Sequence, residues 1–165
     1  MTLYHGSYTM VKTPLANAGR RNLDFGKGFY VTNLKSQAEK WALVVGGRRN
    51  DNDEGVVSVY EFDESVMASY NVLRFPDYDI KWLDFVVANR NGEDAAQGYD
   101  AVEGGVANDQ VIDTIEDYEM GRITAEQALA QLRFKKPNHQ LCIRNQEILD
   151  KHLHFRESYI IKDED

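Results

Sequence analysis

The sequence predicts an α+β fold, with strands and helices mixed rather than alternating as regular βαβ units. Three observations carry that prediction. The 165 residues amount to a single domain spanning 1–165, at roughly 100–200 residues per domain. Runs with strand character (56–62, 101–107, 140–144) fall irregularly among runs with helical period (36–45, 79–90, 108–119, 124–132, 145–152). Hydrophobic residues make up 42% and charged residues 28%, and eighteen aromatics stand against three prolines. That balance belongs to a globular chain with a sizeable core, not to a disordered one.

In chain order, Leu3–His5 reads as a short strand cut off by Gly6, and residues 8–24 form a loop marked by Pro14, Gly19 and Asn22. Asp24-Phe25-Gly26-Lys27-Gly28 is a turn that enters the β-prone run Phe29-Tyr30-Val31-Thr32. From Ser36 to Val45 apolar residues recur at Ala38, Trp41, Ala42 and Val45, a helical stripe that Gly46-Gly47 should end. Residues 48–55 form a charged turn before the strand Val56–Phe62. Residues 79–90 form a helix with Ile80, Leu83 and Val87 on one stripe, and Trp82 and Phe85 belong to the core. The β-prone run 101–107 is interrupted by Gly104-Gly105, and residues 108–119 are acidic and helical. Thr124 with Gln127 fits a capping box opening an amphipathic helix that carries Ala128, Leu129 and Leu132. Gln140–Arg144 is a short strand and 145–152 a short helix, while 63–78 and 153–165 receive no assignment.

Composition excludes several classes. No apolar run approaches the roughly 18 residues that would cross a membrane, and the N-terminus lacks a basic segment followed by an apolar one. Cytoplasmic localisation is the default expectation. The lone Cys142 forms no internal disulfide, lies in an apolar run and reads as core. His5, His139, His152 and His154 form no metal-binding pattern. The net charge of −8 is uneven. Residues 10–50 hold eight Lys/Arg against two Asp/Glu, and residues 51–165 hold eleven against 25. An acidic chain is a poor coat for nucleic acid, yet the basic block suits an anionic small ligand or a short nucleic-acid contact.

Two segments offer chemistry. His5 at a strand end before Gly6 presents an imidazole beside a backbone that a ligand can approach closely. Gly26-Lys27-Gly28 is neither a phosphate-binding P-loop nor a dinucleotide fingerprint. A third cluster, Asp100 with Asn108 and Asp109, could face a ligand's hydroxyls, but helix N-capping at 108 or 109 is the stronger reading.

Taken together, Leu3-Tyr4-His5-Gly6-Ser7, then Phe25-Gly26-Lys27-Gly28-Phe29-Tyr30, then Ser36, Ala38 and Trp41, resemble the ADP-ribosyltransferase superfamily and its poly(ADP-ribose) polymerase-like F-G-K-G-x-Y segment. Further motifs at 82–90, 99–109 and 138–143 resemble a bacterial domain family of unassigned function placed in that superfamily. The resemblance implies a split-sheet α+β fold with flanking helices and NAD as co-substrate. It implies that His5 binds the nicotinamide-side ribose and that the Gly6 backbone holds the nicotinamide amide. Tyr30 takes the second-motif place, Gly28 lies against the cofactor, Trp41 stacks on the nicotinamide ring, and Arg20 and Arg21 meet the pyrophosphate. The third motif departs from the pattern: Gln140 stands where polymerising members carry a glutamate. A glutamine forms hydrogen bonds but brings no charge to an oxocarbenium-like centre.

The expected function is therefore transfer of a single ADP-ribose unit to a macromolecular acceptor, protein or RNA/DNA, with release of nicotinamide. The implied setting is a bacterial toxin or phage-defence effector, with an antitoxin protein as a partner and no membrane. The alternatives are a catalytically inactive NAD- or ADP-ribose-binding module and a protein-interaction scaffold. No metal is implied.

Overall fold

A computed structural model of the chain describes residues 1–165 except 20–22, 51–52, 108, 134–137 and 164–165, and leaves the side chains of 109 and 110 aside. The expectations placed on Arg20, Arg21, Asn22 and Asn108 lie outside the described residues.

Among the described residues seven strands form two sheets. The first is antiparallel, in the order β1 (Thr2–Ser7), β3 (Glu54–Phe62), β7 (Leu153–Lys162). The second has the order β2 (Phe29–Val31), β6 (Gln140–Ile143), β5 (Ala101–Gly104), β4 (Val72–Arg74). It is antiparallel except for the parallel β4–β5 pair. The α-helices among the described residues are α1 (Lys35–Arg49), α2 (Ile80–Arg90), α3 (Asp109–Glu119), α4 (Ala125–Leu132) and α5 (Gln146–His152), and a 3₁₀ turn covers Glu64–Ser69. This is the α+β single-domain class expected.

Side-chain alternation along the strands sorts the core into layers. On the outer face of the first sheet, Val57 and Val59 pack against Ala38 and Ala42 of α1. Between the sheets, Leu3, Tyr60 and Phe62 meet Phe29, Val31, Leu141 and Ile143, closed off by Ile148 and Leu149 of α5. On the far face of the second sheet, Val102 and Cys142 pack under Trp82, Leu83 and Val86 of α2, with Val111 and Ile115 of α3 and Leu132 of α4.

Several expectations are corrected. β1 does not stop at Gly6 but runs through it to Ser7, because Gly6 lies against the helix: a Cβ there would collide with the Ala38 carbonyl and the Ala42 amide. α1 does not end at Gly46-Gly47. Its buried ridge is Ala38, Ala42 and Gly46 at i+4 spacing, and the bare Gly46 lets the helix touch the Glu54 and Gly55 backbone of β3. Close packing thus overrides glycine's helix-breaking tendency. Arg48 and Arg49 then complete the last turn, where cations suit the helix dipole. Trp41 and Val45 are not part of the buried ridge. On α2 the buried face is Trp82, Leu83, Phe85, Val86 and Asn89, shifted from the Ile80–Leu83–Val87 stripe. Asp79 caps it by accepting from Trp82 N at 2.9 Å. The capping box at Thr124 and Gln127 forms with both reciprocal bonds, 2.8 and 3.2 Å.

Candidate functional site at the seam between the sheets

The two sheets touch edge to edge at one place. Tyr4 and Thr32 exchange backbone hydrogen bonds of 2.8 and 3.0 Å, and beyond them β1 and β2 diverge. Because Tyr4 turns its N–H and C=O toward β2, strand alternation turns those of Gly6 the same way, off the outer edge of β1. Among the described residues no partner meets them.

His5, half-buried, follows Tyr4 at this bridge. Its Nδ1 lies 2.6 Å from the Tyr30 carbonyl, and a carbonyl only accepts, so Nδ1 carries the proton. The ring stacks on Phe29 with centroids 4.2 Å apart and planes at 28°. Desolvation lowers the His5 pKa, against the opposing pull of the Tyr30 carbonyl. The imidazole is thus held neutral in one tautomer, with Nε2 left as a lone-pair acceptor.

Trp41 is 47% exposed, whereas Trp82 is fully buried. Gly6 contacts the Ala38–Ala42 turn of α1. Glu39, on one flank of that helix, bonds Tyr159 of β7, and the opposite flank carries Gln37 and Trp41. Gln37 on that flank donates from Nε2 to the His139 carbonyl at 2.7 Å.

The Tyr30 phenol points elsewhere. Its hydroxyl accepts from Phe25 N at 3.1 Å and donates to the Gly26 carbonyl, which closes the turn on itself. Burial raises its pKa strongly, so it stays protonated. Tyr30 is in register with Cys142, and Gln140, two residues along β6, shares that face. Gln140 is buried and donates to the Gly105 carbonyl at 3.4 Å, an acceptor shared with Trp82 Nε1 at 3.2 Å. His5 meets Tyr30 only through the latter's backbone carbonyl. Among the described contacts none joins Trp41 to His5, Tyr30 or Gln140. Gly28 is required by packing, since a Cβ would strike Cys142 Sγ and the Ile143 carbonyl. Cys142, its thiol pushed up to about 12 by burial, is core as expected.

A model of the family described as "Protein of unknown function (DUF3990)" matches residues 1–155. The chain belongs to that family. No curated protein and no solved structure matches it.

In this DUF3990 chain the sequence motifs find one another in space. Asp24, at the head of the glycine turn, pairs with Arg90 at 2.8 Å, and its carbonyl accepts from Asn89 Nδ2 at 3.0 Å. Thus the Asn-Arg end of α2 anchors the turn. Arg144 holds the other end, donating to the Lys27 carbonyl at 2.7 Å while pairing with Asp94 at 3.2 Å. Gly26 has φ 82°, a left-handed conformation that suits glycine. Asp100 is also a clamp: its carboxylate accepts from Asn71 N at 2.8 Å and Asn145 Nδ2 at 3.1 Å, and its carbonyl from Arg144 and Asn145.

The sequence analysis missed a polar hub around His139. Its Nδ1 accepts from Asn33 N at 3.0 Å, which leaves Nε2 to donate to Glu103 Oε2 at 2.9 Å. Glu103 also meets Arg74 at 3.4 Å. Hydrogen bonding from His139 holds the Glu103 carboxyl below its ordinary pKa. Strand alternation was the available signal: in Asn138-His139-Gln140 a buried Gln140 on one face puts His139 on the other. Among the described residues no cluster of three or more His, Cys, Asp or Glu side chains could hold a metal ion. No described helix is long and apolar enough to cross a membrane.

Proposed function

We propose that the seam binds NAD and that the protein transfers a single ADP-ribose unit to a macromolecular acceptor with release of nicotinamide, as its resemblance to ADP-ribosyltransferases implies. The observation that carries this is His5, kept neutral by burial and fixed in one tautomer by the Tyr30 carbonyl, next to the unpaired backbone of Gly6. A carboxamide has one donor and one acceptor side, which suits a free strand edge. The exposed Trp41 offers a face for stacking, worth about 0.5–1.5 kcal/mol beyond burial. In the reaction the bond between the ribose anomeric carbon and nicotinamide breaks, and nicotinamide leaves with the electron pair. The acceptor's nucleophile bonds to that carbon and gives up its proton to solvent or base. His5 Nε2 accepts from a ribose hydroxyl in this scheme. A bacterial toxin or phage-defence effector restrained by an antitoxin protein in the cytoplasm is the setting such an activity fits.

A second reading, binding of NAD or ADP-ribose without turnover, is favoured by one specific observation. The Tyr30 hydroxyl and the Gln140 amide are both engaged by backbone carbonyls, and Gln140 carries no charge.

Thermal shift with NAD, followed by incubation with labelled NAD and a cell lysate, separates the two. A raised Tm together with free nicotinamide and label in a protein, RNA or DNA fraction supports transfer. A raised Tm without nicotinamide supports the binding module. No shift at millimolar NAD removes both.

A further inference from the structure

Helix α1 carries three exposed apolar side chains on the flank whose Gln37 reaches the His139 carbonyl. Leu34 at its cap is 40% exposed, Trp41 47% and Val44 42%. At 100° per residue these three and Arg48 fall within an arc of about 80°, and Leu34 to Val44 spans about 15 Å along the axis. Exposed large apolar side chains scattered singly need no explanation, but an aligned set on one helix face does. The helix's own cations beside it are Lys40 and Arg48, since Lys35 and Arg49 lie over the rings of Tyr159 and Tyr8. The exposed residues of α1 include Lys35, Lys40, Arg48 and Arg49 and no acid. The helix's only acid, Glu39, is turned to the other flank, where it accepts from the Tyr159 hydroxyl at 3.3 Å.

We propose that this flank of α1 is the docking surface for an acidic amphipathic helix of a partner protein. Charge complementarity chooses the sign of the occupant: Lys40 beside the apolar residues and Arg48 one turn beyond Val44 would face acidic side chains of the partner. The shape chooses a helix. Residues at 34, 41 and 44 form a ridge with aliphatic ends and one aromatic, which interdigitates with apolar residues at i, i+3/i+4 and i+7 of a second helix. A single-stranded nucleic acid uses repeated aromatic platforms, and here the aromatic stands alone between Leu34 and Val44. A stripe this small gives a weak, transient complex, with a dissociation constant on the order of 10⁻⁵ M. The surface does not depend on NAD chemistry. It shares Trp41 with the proposed pocket, so a helix seated there and a ring stacked on Trp41 exclude one another.

The test uses the full chain and two labelled 18-residue helical peptides sharing one leucine stripe, one with glutamate and one with lysine on the polar face. Fluorescence polarisation at low and high salt reads binding. The expected result is micromolar binding of the glutamate peptide alone, weakened by salt, and weakened about tenfold or more by Leu34→Glu/Val44→Glu and by Lys40→Glu/Arg48→Glu. Circular dichroism checks that both double variants keep the fold, which their exposed positions permit. No binding up to about 1 mM, equal binding of both peptides, or binding unchanged in the folded variants overturns the proposal. So does tighter binding of a single-stranded RNA that displaces the peptide. A homodimer seen by sedimentation and lost in Leu34→Glu/Val44→Glu also overturns it, because the occupant is then a second copy.

Discussion

Individual residues here divide by which of their groups faces the seam. Tyr30 contributes its carbonyl to His5 while its phenol fastens the glycine turn, so replacing the residue has two separable effects. Tyr30→Phe keeps the carbonyl and leaves Phe25 N without its acceptor, which costs about 1–3 kcal/mol. We expect a lower urea midpoint in Tyr30→Phe with NAD affinity within a factor of a few of wild type. His5→Ala should do the opposite, losing NAD-dependent labelling in a folded protein. Full labelling by folded His5→Ala would remove it from the site. The two tryptophans differ in the same way. Trp41→Ala should weaken NAD binding with little change in Tm, and Trp82→Ala should lower Tm through the loss of about 3–5 kcal/mol of stability typical of an emptied aromatic core site. Equal NAD affinities of the two folded variants would strip Trp41 of a ligand role. The positions of these residues were legible in the sequence, but which face each side chain takes was not. Periodicity placed Trp41 on the same stripe as Ala38 and Ala42, because a tryptophan's hydrophobicity says core, whereas the sheet accepts only the narrow ridge Ala38–Ala42–Gly46.

At the scale of elements, local signals that satisfy themselves were legible and those that depend on distant partners were not. The Thr124–Gln127 capping box closes within four residues, and it forms as read. β7 was invisible because its ten residues are mostly exposed or half-buried and alternate weakly, so its pairing with β3 rather than its own pattern makes it a strand. α1 outran its glycines because β3 approaches Gly46. The glycine turn before β2 is fastened by residues far along the chain, Asp24–Arg90 from α2 and Lys27–Arg144 from the residue after β6. The recurrence of Asp-Phe-Gly and Asn-Arg motifs in one chain therefore has a mechanical cause. Both partners of the Asp24–Arg90 pair are largely shielded from solvent. A double-mutant cycle with Asp24→Asn and Arg90→Lys should give a coupling of about 1–3 kcal/mol in urea unfolding, above the 0–1 kcal/mol of exposed pairs. Either single variant should also loosen the turn that delivers Tyr30 to His5, and so weaken NAD binding. Additive effects within error would mean that the two residues hold the turn independently.

For the whole molecule, the two titrating groups nearest the seam set a pH dependence with two steps. His5 has its folded pKa lowered by desolvation, so the unfolded chain takes up a proton first, near pH 6.5. Its contribution to stability is present above that pH and is lost as pH falls toward the folded value. Glu103 is held below its ordinary value by His139, so its contribution is present above about pH 4.3 and is lost as pH falls through its lower folded pKa. Both steps have the same sign: acid destabilises. They differ in place, because His5 ties β1 to β2 while Glu103 reaches, through His139, the turn from β2 into α1. Urea midpoints measured from pH 8 to pH 3.5 should therefore fall in two stages, the first beginning near pH 6.5 and the second below about 4.3. His5→Phe keeps an aromatic ring on Phe29 and cannot titrate, so it should flatten the first stage and leave the second. Glu103→Gln should make the second shallower, since Glu61, Asp63 and Glu147 are also held below their ordinary values, and leave the first unchanged. A first stage that persists in folded His5→Phe would mean that another histidine is responsible, and the neutral, Nδ1-protonated His5 on which the seam chemistry depends would lose its support.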